Sequence, residues 1–308
     1  MTINNFVVRG NMKKNQNTKR PFVSVIMPVY NAGDFLVQSI ESILKQTYKN
    51  FEFIIIDDAS TDSSYQILKK FKKRDKRIRI FRIAKKNIGV SETVKYAITK
   101  AKGDFIARMD ADDVAIKTRI SKQVVFLLKN RNTVAVGGQC SIINKNGEVI
   151  GEKIFPTKFK EIYSYIFKFV PLQQPTLMIA RKRLPKDFEF YHDGLDTAEE
   201  LELLFKLFQY GKVENLGDIV LLYRLHDKNT SLKDIKKTFL YTLLSRFRAV
   251  IKYHYRPTIT GIIFTLFQAL LVLLLPQTLV FWLYEKMRKL HYSMKYSRLG
   301  LQFIGEVQ

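Results

Sequence analysis

Phe105-Ile106-Ala107-Arg108-Met109-Asp110-Ala111-Asp112-Asp113 is the stretch that decides how this chain is read. Its apolar start reads as a buried strand, and its end carries three carboxylates within four positions. Carboxylates that close repel one another. One relief is a solvated acidic turn that caps the helix expected to start near Lys117. The other is a hard cation among them, because Mg²⁺ and Mn²⁺ prefer oxygen ligands. Mg²⁺ takes only one or two protein carboxylates and completes its shell with water and substrate phosphates. In that second reading the turn holds a metal that carries a diphosphate.

Working outward, apolar runs alternate with amphipathic ones. Strands are expected at Phe22–Met27, Phe51–Ile56, Arg77–Ile83 and Phe105–Met109. Helices are expected between them, at Asp34–Gln46, Asp62–Lys73 and Ser91–Ala101, with Ser60-Thr61-Asp62 as cap candidates for the second. This βαβαβαβ order implies an α/β fold with a mostly parallel sheet and helices on both faces. Ligands of such sheets bind beyond the carboxyl ends of the strands. Asn31, Asp57, Asp58 and Asp110 to Asp113 all fall there. Pro28 fixes φ and is expected to stop the first strand, leaving a loop fit for a base and ribose. Asp57 and Asp58 either accept from a base or ribose hydroxyls, or cap the next helix.

Downstream, a helix is expected at Lys117–Lys129, then a hairpin of Val134–Ile143 and Val149–Ile154 around Asn146-Gly147. Pro171–Ile179 reads as a loop entering a strand, Thr197–Tyr210 as a helix ended by Gly211, and Ile219–Leu225 as a late strand.

The net charge is +24, with +5 in residues 1–20 and +9 in residues 231–308. Residues 1–21 read as a disordered basic arm with no apolar signal-peptide stretch, and 22–230 as the main domain. Basic tails suit an anionic surface, lipid or nucleic acid. No nucleic-acid-binding signature is present, so an anionic membrane surface is the expected partner. The lone Cys140 excludes an internal disulfide and reads as a small buried residue. Ser231–Tyr255 reads as a basic amphipathic helix with Ile235, Phe239, Leu243, Phe247 and Val250 on one face. It either docks on the domain or lies on a membrane. Ile259–Tyr284 carries no charge and is broken by Gln268, Pro276 and Gln277. Both of its flanks are basic: Arg246, Arg248, Lys252 and Arg256 before it; Lys286, Arg288, Lys289 and Lys295 after it. It is long enough for a span of about 20 residues, but the positive-inside rule favours a re-entrant or interfacial segment. The expected location is the cytoplasmic face of the plasma membrane: peripheral, re-entrant or single-span.

The ordered motifs resemble those of family 2 glycosyltransferases of the GT-A fold, non-processive and inverting. They are Val23–Asn31, Phe51–Asp62, Asn87-Ile88-Gly89 and Ala101-Lys102-Gly103-Asp104 running into Arg108–Asp113. Later come Gln174-Pro175-Thr176, Ala198–Leu203 and Tyr223-Arg224-Leu225-His226. The resemblance implies a nucleotide-diphospho-sugar transferase fold with C-terminal amphipathic and hydrophobic helices appended. It implies that Pro28, Asn31, Asp58, Asn87 and Gly89 line the nucleotide pocket. Asp110 and Asp112 would be the DXD motif, with Asp112, Asp110 and Asp113 around Mn²⁺ or Mg²⁺, and Arg224 and His226 near the diphosphate. Glu200, with Glu199 second, would be the base, and Gln174 would stand on the acceptor side. Four positions depart from the family pattern: Ala59 for Gly, Lys95 for Asn, Gln174 for His and Glu200 for Asp.

The expected activity is transfer of one sugar from a nucleoside-diphosphate donor, UDP by preference, to a lipid-linked or surface-polysaccharide acceptor, with inversion. A processive synthase would carry a Gln-x-x-Arg-Trp motif, and the single tryptophan, Trp282, lies outside any such sequence. A nucleotidyltransferase would carry a Gly-rich signature where Pro28–Asn31 stands. The alternative from another class is a non-catalytic sugar- or membrane-binding module with a decayed site.

Overall fold

A computed structural model describes residues 20–191, 199–226 and 235–276, with positions 279, 280, 282, 283 and 286 beyond them. Most of the basic arm (1–19), the predicted helix starts at Thr197 and Ser231, the Glu199 side chain, and Arg288, Lys289 and Lys295 lie outside the described residues.

The chain begins as its periodicity predicts. Strands β1 (Val23–Val29), β2 (Phe51–Asp58), β3 (Ile78–Ile83) and β4 (Phe105–Arg108) are linked by α1 (Gly33–Leu44), α2 (Ser64–Arg74) and α3 (Val90–Lys100). They are followed by β5 (Val114–Ala115), α4 (Arg119–Lys129), β6 (Thr133–Ile143), β7 (Val149–Lys153), α5 (Phe159–Tyr165) and β8 (Met178–Ala180). Helix α6 (Glu199–Phe208), strand β9 (Lys212–Arg224), α7 (Ile235–Lys252) and α8 (Ile259–Leu274) complete the described residues. The sheet runs β3-β2-β1-β4-β8-β6-β9-β5, with β7 on β6. The pairs β1–β2, β1–β4, β2–β3 and β6–β9 are parallel, and β8, β5 and β7 join antiparallel.

β1 and β2 are apolar on both faces because both are covered. Val25, Met27, Phe53 and Ile55 face a core closed by Leu36 and Ile40 of α1, Leu68 of α2 and Val124 of α4. Ile26, Ile54 and Ile56 face the other core, closed by Val94 of α3, Leu204 of α6 and Ala249 of α7. Lys102-Gly103 passes tightly under β1: a Cβ on Gly103 would lie 2.4 Å from the Ser24 amide nitrogen. No other residue allows that turn into β4.

Four expectations need correction. β1 does not stop at Pro28 but pairs on through Val29. Pairing with β4 ends at Ile26, so Pro28 lies where a missing N–H is tolerated. The late strand starts at Lys212 rather than Ile219. Its polar first half hid it, because Glu214 accepts from Thr133 Oγ1 and Asn215 donates to the carbonyls of Pro156 and Pro171. The predicted apolar face of α7 is not the packed one. Ser245, Arg246 and Ala249 face the domain, while Phe247 and Val250 are exposed. Arg246 and Arg248 are also not a free basic flank: Arg246 is buried, and Arg248 pairs with Glu202 at 3.2 Å. The uncharged run is interrupted just before Pro276, one of the breaks that the sequence marks. α8 ends at Leu274, and no helix among the described residues is long and apolar enough to cross a membrane.

Candidate active site

Two loops meet at the ends of β1 and β2. Asn31 takes a left-handed conformation, φ 48°, which Asn tolerates better than most residues. Its Oδ1 accepts from the Thr61 amide at 2.8 Å, and its own amide donates to Ser60 Oγ at 3.1 Å. Ala59, the residue that departs from glycine, also has positive φ, 58°. Asp58 accepts from the amides of Ile88 and Gly89 at 2.9 and 3.1 Å, one on each oxygen. Asp58 thereby fixes the 87–89 loop against the strand end, with Asn87 Nδ2 on its carbonyl at 3.5 Å. Its neighbour Asp57 is fully buried, with Oδ2 on Arg82 at 3.0 Å and Oδ1 without a protein partner. Pro28 lies in β1 beside Ile56 of β2, three residues before Asn31.

The acidic turn follows β4. Arg108 Nη2 pairs with Asp110 at 2.8 Å, and Asp112 Oδ2 lies 2.8 Å from His226 Nε2. Asp113 is buried; Oδ1 accepts from the Arg224 amide at 2.9 Å and Oδ2 has no protein partner. Burial first, then the charges of Asp112 and Asp110, hold the Asp113 carboxyl well above the usual carboxylate range. Asp110 is raised too, by burial first; Arg108 opposes this and Asp112 adds to it. Strand β5, paired with β9 through Val114 and Leu222, brings the late Tyr223–His226 segment onto this turn.

Arg224, expected beside the diphosphate, points elsewhere. It is 1% exposed; Nε donates to the Asp112 carbonyl at 2.9 Å, and Nη1 and Nη2 bond Asn144, Lys145 and Gln38. Its observed task is to hold the backbone of the acidic turn. His226 does lie at the turn, with its ring 5.0 Å from Phe35.

Two arginines that sequence reasoning passed over support the turn. Arg108 is buried, with Nη1 unpartnered. Arg119 is buried beneath the turn and donates to the Arg108 carbonyl at 2.7 Å and to Gln123 Oε1 at 3.2 Å. Burial lowers its pKa to about 10, leaving it a fixed cation near Asp113 and Asp110. The signal was present: Arg119 and Gln123 are polar residues on the same buried stripe as Ile120 and Val124.

On the far side, Glu200 stands in the first turn of α6, half-buried. Burial raises its pKa; Arg108 opposes this and Asp110 adds to it, so the candidate base feels both charges of the acidic turn. Gln174 begins a 3₁₀ turn (Gln174–Thr176) that leads to Leu177, whose carbonyl accepts from the Arg108 amide at 2.9 Å. Its Nε2 is buried without a protein partner. The folded chain thus gathers Asp110, Asp112, Asp113, His226, Glu200 and Gln174 around the end of β4, and Asn31, Asp58, Asn87 and Gly89 around β1 and β2.

Among the described residues no three His, Cys, Asp or Glu side chains converge as a complete metal cage. The donor set still fits a divalent cation. The Asp112–His226 pair and the unpartnered Asp113 Oδ2 supply the few protein ligands that a phosphate-bound Mg²⁺ requires.

The same arrangement of strands is found in GT-A glycosyltransferases. The Staphylococcus aureus TarS structure with UDP-GlcNAc superposes with a TM-score of 0.57 at 19% identity, covering 72% of this chain and 66% of that one, slightly under two thirds. The sequence agrees: residues 24–187 match the family described as glycosyl transferase family 2. An uncharacterized glycosyltransferase of Methanocaldococcus jannaschii is 34% identical over 72% of this chain and 77% of its own length. The O-antigen biosynthesis glycosyltransferase WbnJ of Escherichia coli is 35% identical over 68% of this chain and 81% of its own. The chain belongs to glycosyl transferase family 2 and is a glycosyltransferase of the GT-A fold.

Proposed function

We propose that this enzyme moves a single sugar from a nucleoside-diphosphate donor, with UDP preferred, to a lipid-linked or surface-glycan acceptor, with inversion. The observation that carries the reading is the pairing of two charged centres. The acidic turn Asp110–Asp113 follows β4, and Glu200, in the first turn of α6, stands within electrostatic reach of Arg108 and Asp110. The nucleoside is held at Pro28, Asn31, Asp58, Asn87 and Gly89. Asp112 and His226 would hold a divalent cation, with Asp113 Oδ2 in reserve. When bound, that cation offsets the negative charge of the leaving diphosphate.

Glu200 takes the proton from the acceptor hydroxyl as that oxygen attacks the sugar's anomeric carbon. The bond from that carbon to the diphosphate oxygen breaks on the opposite face, and the nucleoside diphosphate leaves. Gln174 Nε2, a buried donor without a partner, is suited to fix the acceptor. Arg119 keeps a positive charge under the turn. The name of the Escherichia coli relative, an O-antigen biosynthesis glycosyltransferase, supports a surface glycan as acceptor.

The test is incubation of the full chain with labelled nucleotide sugars, Mn²⁺ and membrane lipid extract. Metal-dependent transfer from one donor is expected. No transfer and no donor hydrolysis with any nucleotide sugar would instead favour a non-catalytic binding module.

A further inference from the structure

Helix α8 is amphipathic in the reverse sense. A helix packed on a soluble domain normally turns its apolar stripe inward. Here the inward side holds Gly261, Thr265 and Gln268. Thr265 Oγ1 donates to the Phe167 carbonyl at 3.1 Å. The buried Arg246 of α7 donates to Thr265 at 3.1 Å, to Gln268 Oε1 at 2.9 Å and to the Lys168 carbonyl at 3.2 Å. The outward side is Ile259, Ile263, Leu266, Leu270 and Leu273, with Leu266 64% and Leu273 80% exposed. Helix α7 repeats the inversion: Ser245, Arg246 and Ala249 pack inward, and Leu240, Phe247 and Ile251 are exposed. Exposed apolar stripes on two successive helices mark an interaction face.

Charge selects the occupant. Residues 235–276 contain six Lys and Arg and no Asp or Glu. Lys237, Lys252 and Arg256 are exposed beside the apolar stripes. A second copy of this face would set cations against cations. An anionic bilayer accepts both the apolar stripes and the cations. Among the described residues, α8 is too short for a span, and its tether opposes one. The 16 residues of α8 extend about 24 Å at 1.5 Å per residue, short of a core of about 30 Å. Crossing would also break the bonds of Arg246 to Thr265 and Gln268.

We infer that α7 and α8 form a docking face that lies in the plane of an anionic membrane, apolar stripes at the acyl boundary and Lys252 and Arg256 at the phosphates. The inference deepens the reading of a membrane-side acceptor, but docking needs no substrate. The test is sedimentation of the full chain with vesicles of phosphatidylcholine, alone or mixed with phosphatidylglycerol. Binding is expected to the mixed vesicles and to weaken with salt. Leu266→Glu combined with Leu273→Glu alters only exposed positions and is expected to lower partitioning roughly a hundredfold. Lys252→Glu with Arg256→Glu is expected to remove the preference for the anionic lipid. Asp112→Asn is expected to bind vesicles like the parent chain, so loss of catalysis and loss of docking read separately. Undiminished binding by the Leu266→Glu/Leu273→Glu chain overturns the proposal. So does concentration-dependent dimerisation that this variant abolishes without any lipid binding by the parent.

Discussion

Helix α1 and the C-terminal helix pair obey the same periodicity and end with opposite polarity. In α1, Leu36, Ile40 and Ile43 point into the core, as an apolar stripe should beside a sheet. In α8 an equally regular stripe points away from the domain, and Thr265 and Gln268 point in. The difference teaches that a period identifies a helix, whereas its orientation depends on what stands beside it. For α1 the neighbour is the apolar face of β1 and β2. For α8 it is a buried guanidinium that requires acceptors.

The contrast predicts that changes at the candidate site remove chemistry and leave the fold, and that changes at the helix pair do the reverse. The largest effect is expected from Glu200→Gln: transfer falls by about 10²–10⁴-fold, with donor binding kept. Full activity in this variant would move the base elsewhere, with Glu199 next in line. The parent's pH profile sharpens the same point. Glu200 must be ionised to accept a proton, and burial raises its pKa. Transfer is therefore expected to rise with pH through a midpoint above the ordinary glutamate range, and an acid limb at or below that range would contradict the assignment.

Asp112→Asn comes next, with metal-dependent donor affinity lowered about tenfold to a hundredfold. Calorimetry with and without Mn²⁺ measures this, and an unchanged Mn²⁺ dependence would remove Asp112 from the metal site. Arg246→Met should act in the opposite manner. It removes the tether between α7 and α8 and is expected to cost about 1–3 kcal/mol in chemical denaturation. Donor hydrolysis below the transition is expected to stay intact; its loss would show that the two regions are not independent.

The smallest effect is expected at Ala59, whose φ of 58° disfavours a Cβ. Ala59→Gly relieves about 1 kcal/mol of strain. A modest rise in Tm without a change in kinetics is the result to look for, and a fall in Tm would mean that the Ala59 methyl packs usefully.

Much of the candidate donor side was legible because it is local. Each polar residue follows directly on an apolar run, as Asn31 follows β1, Asp58 closes β2 and Asp110 follows β4. Other features were hidden because they depend on partners distant in sequence. Arg224 reads as a phosphate ligand, yet it is turned inward by carbonyls at Asp112, Asn144 and Lys145. The first half of β9 looks like a loop until Glu214 and Asn215 find Thr133, Pro156 and Pro171. Arg119 stands out in the sequence as a polar residue on a buried stripe, but its partner, the Arg108 carbonyl, shows only once α4 packs beneath the turn.

The sequence by itself determined the α/β alternation, the strand ends on which the polar residues collect, and the family. Those follow from period and spacing along one chain. Only the tertiary structure decided that Glu200 shares a field with Arg108 and Asp110, that Arg224 is internal, and that α7 and α8 face outward. Each is settled by a contact or a charge across nineteen or more residues of chain, and no local pattern carries that information.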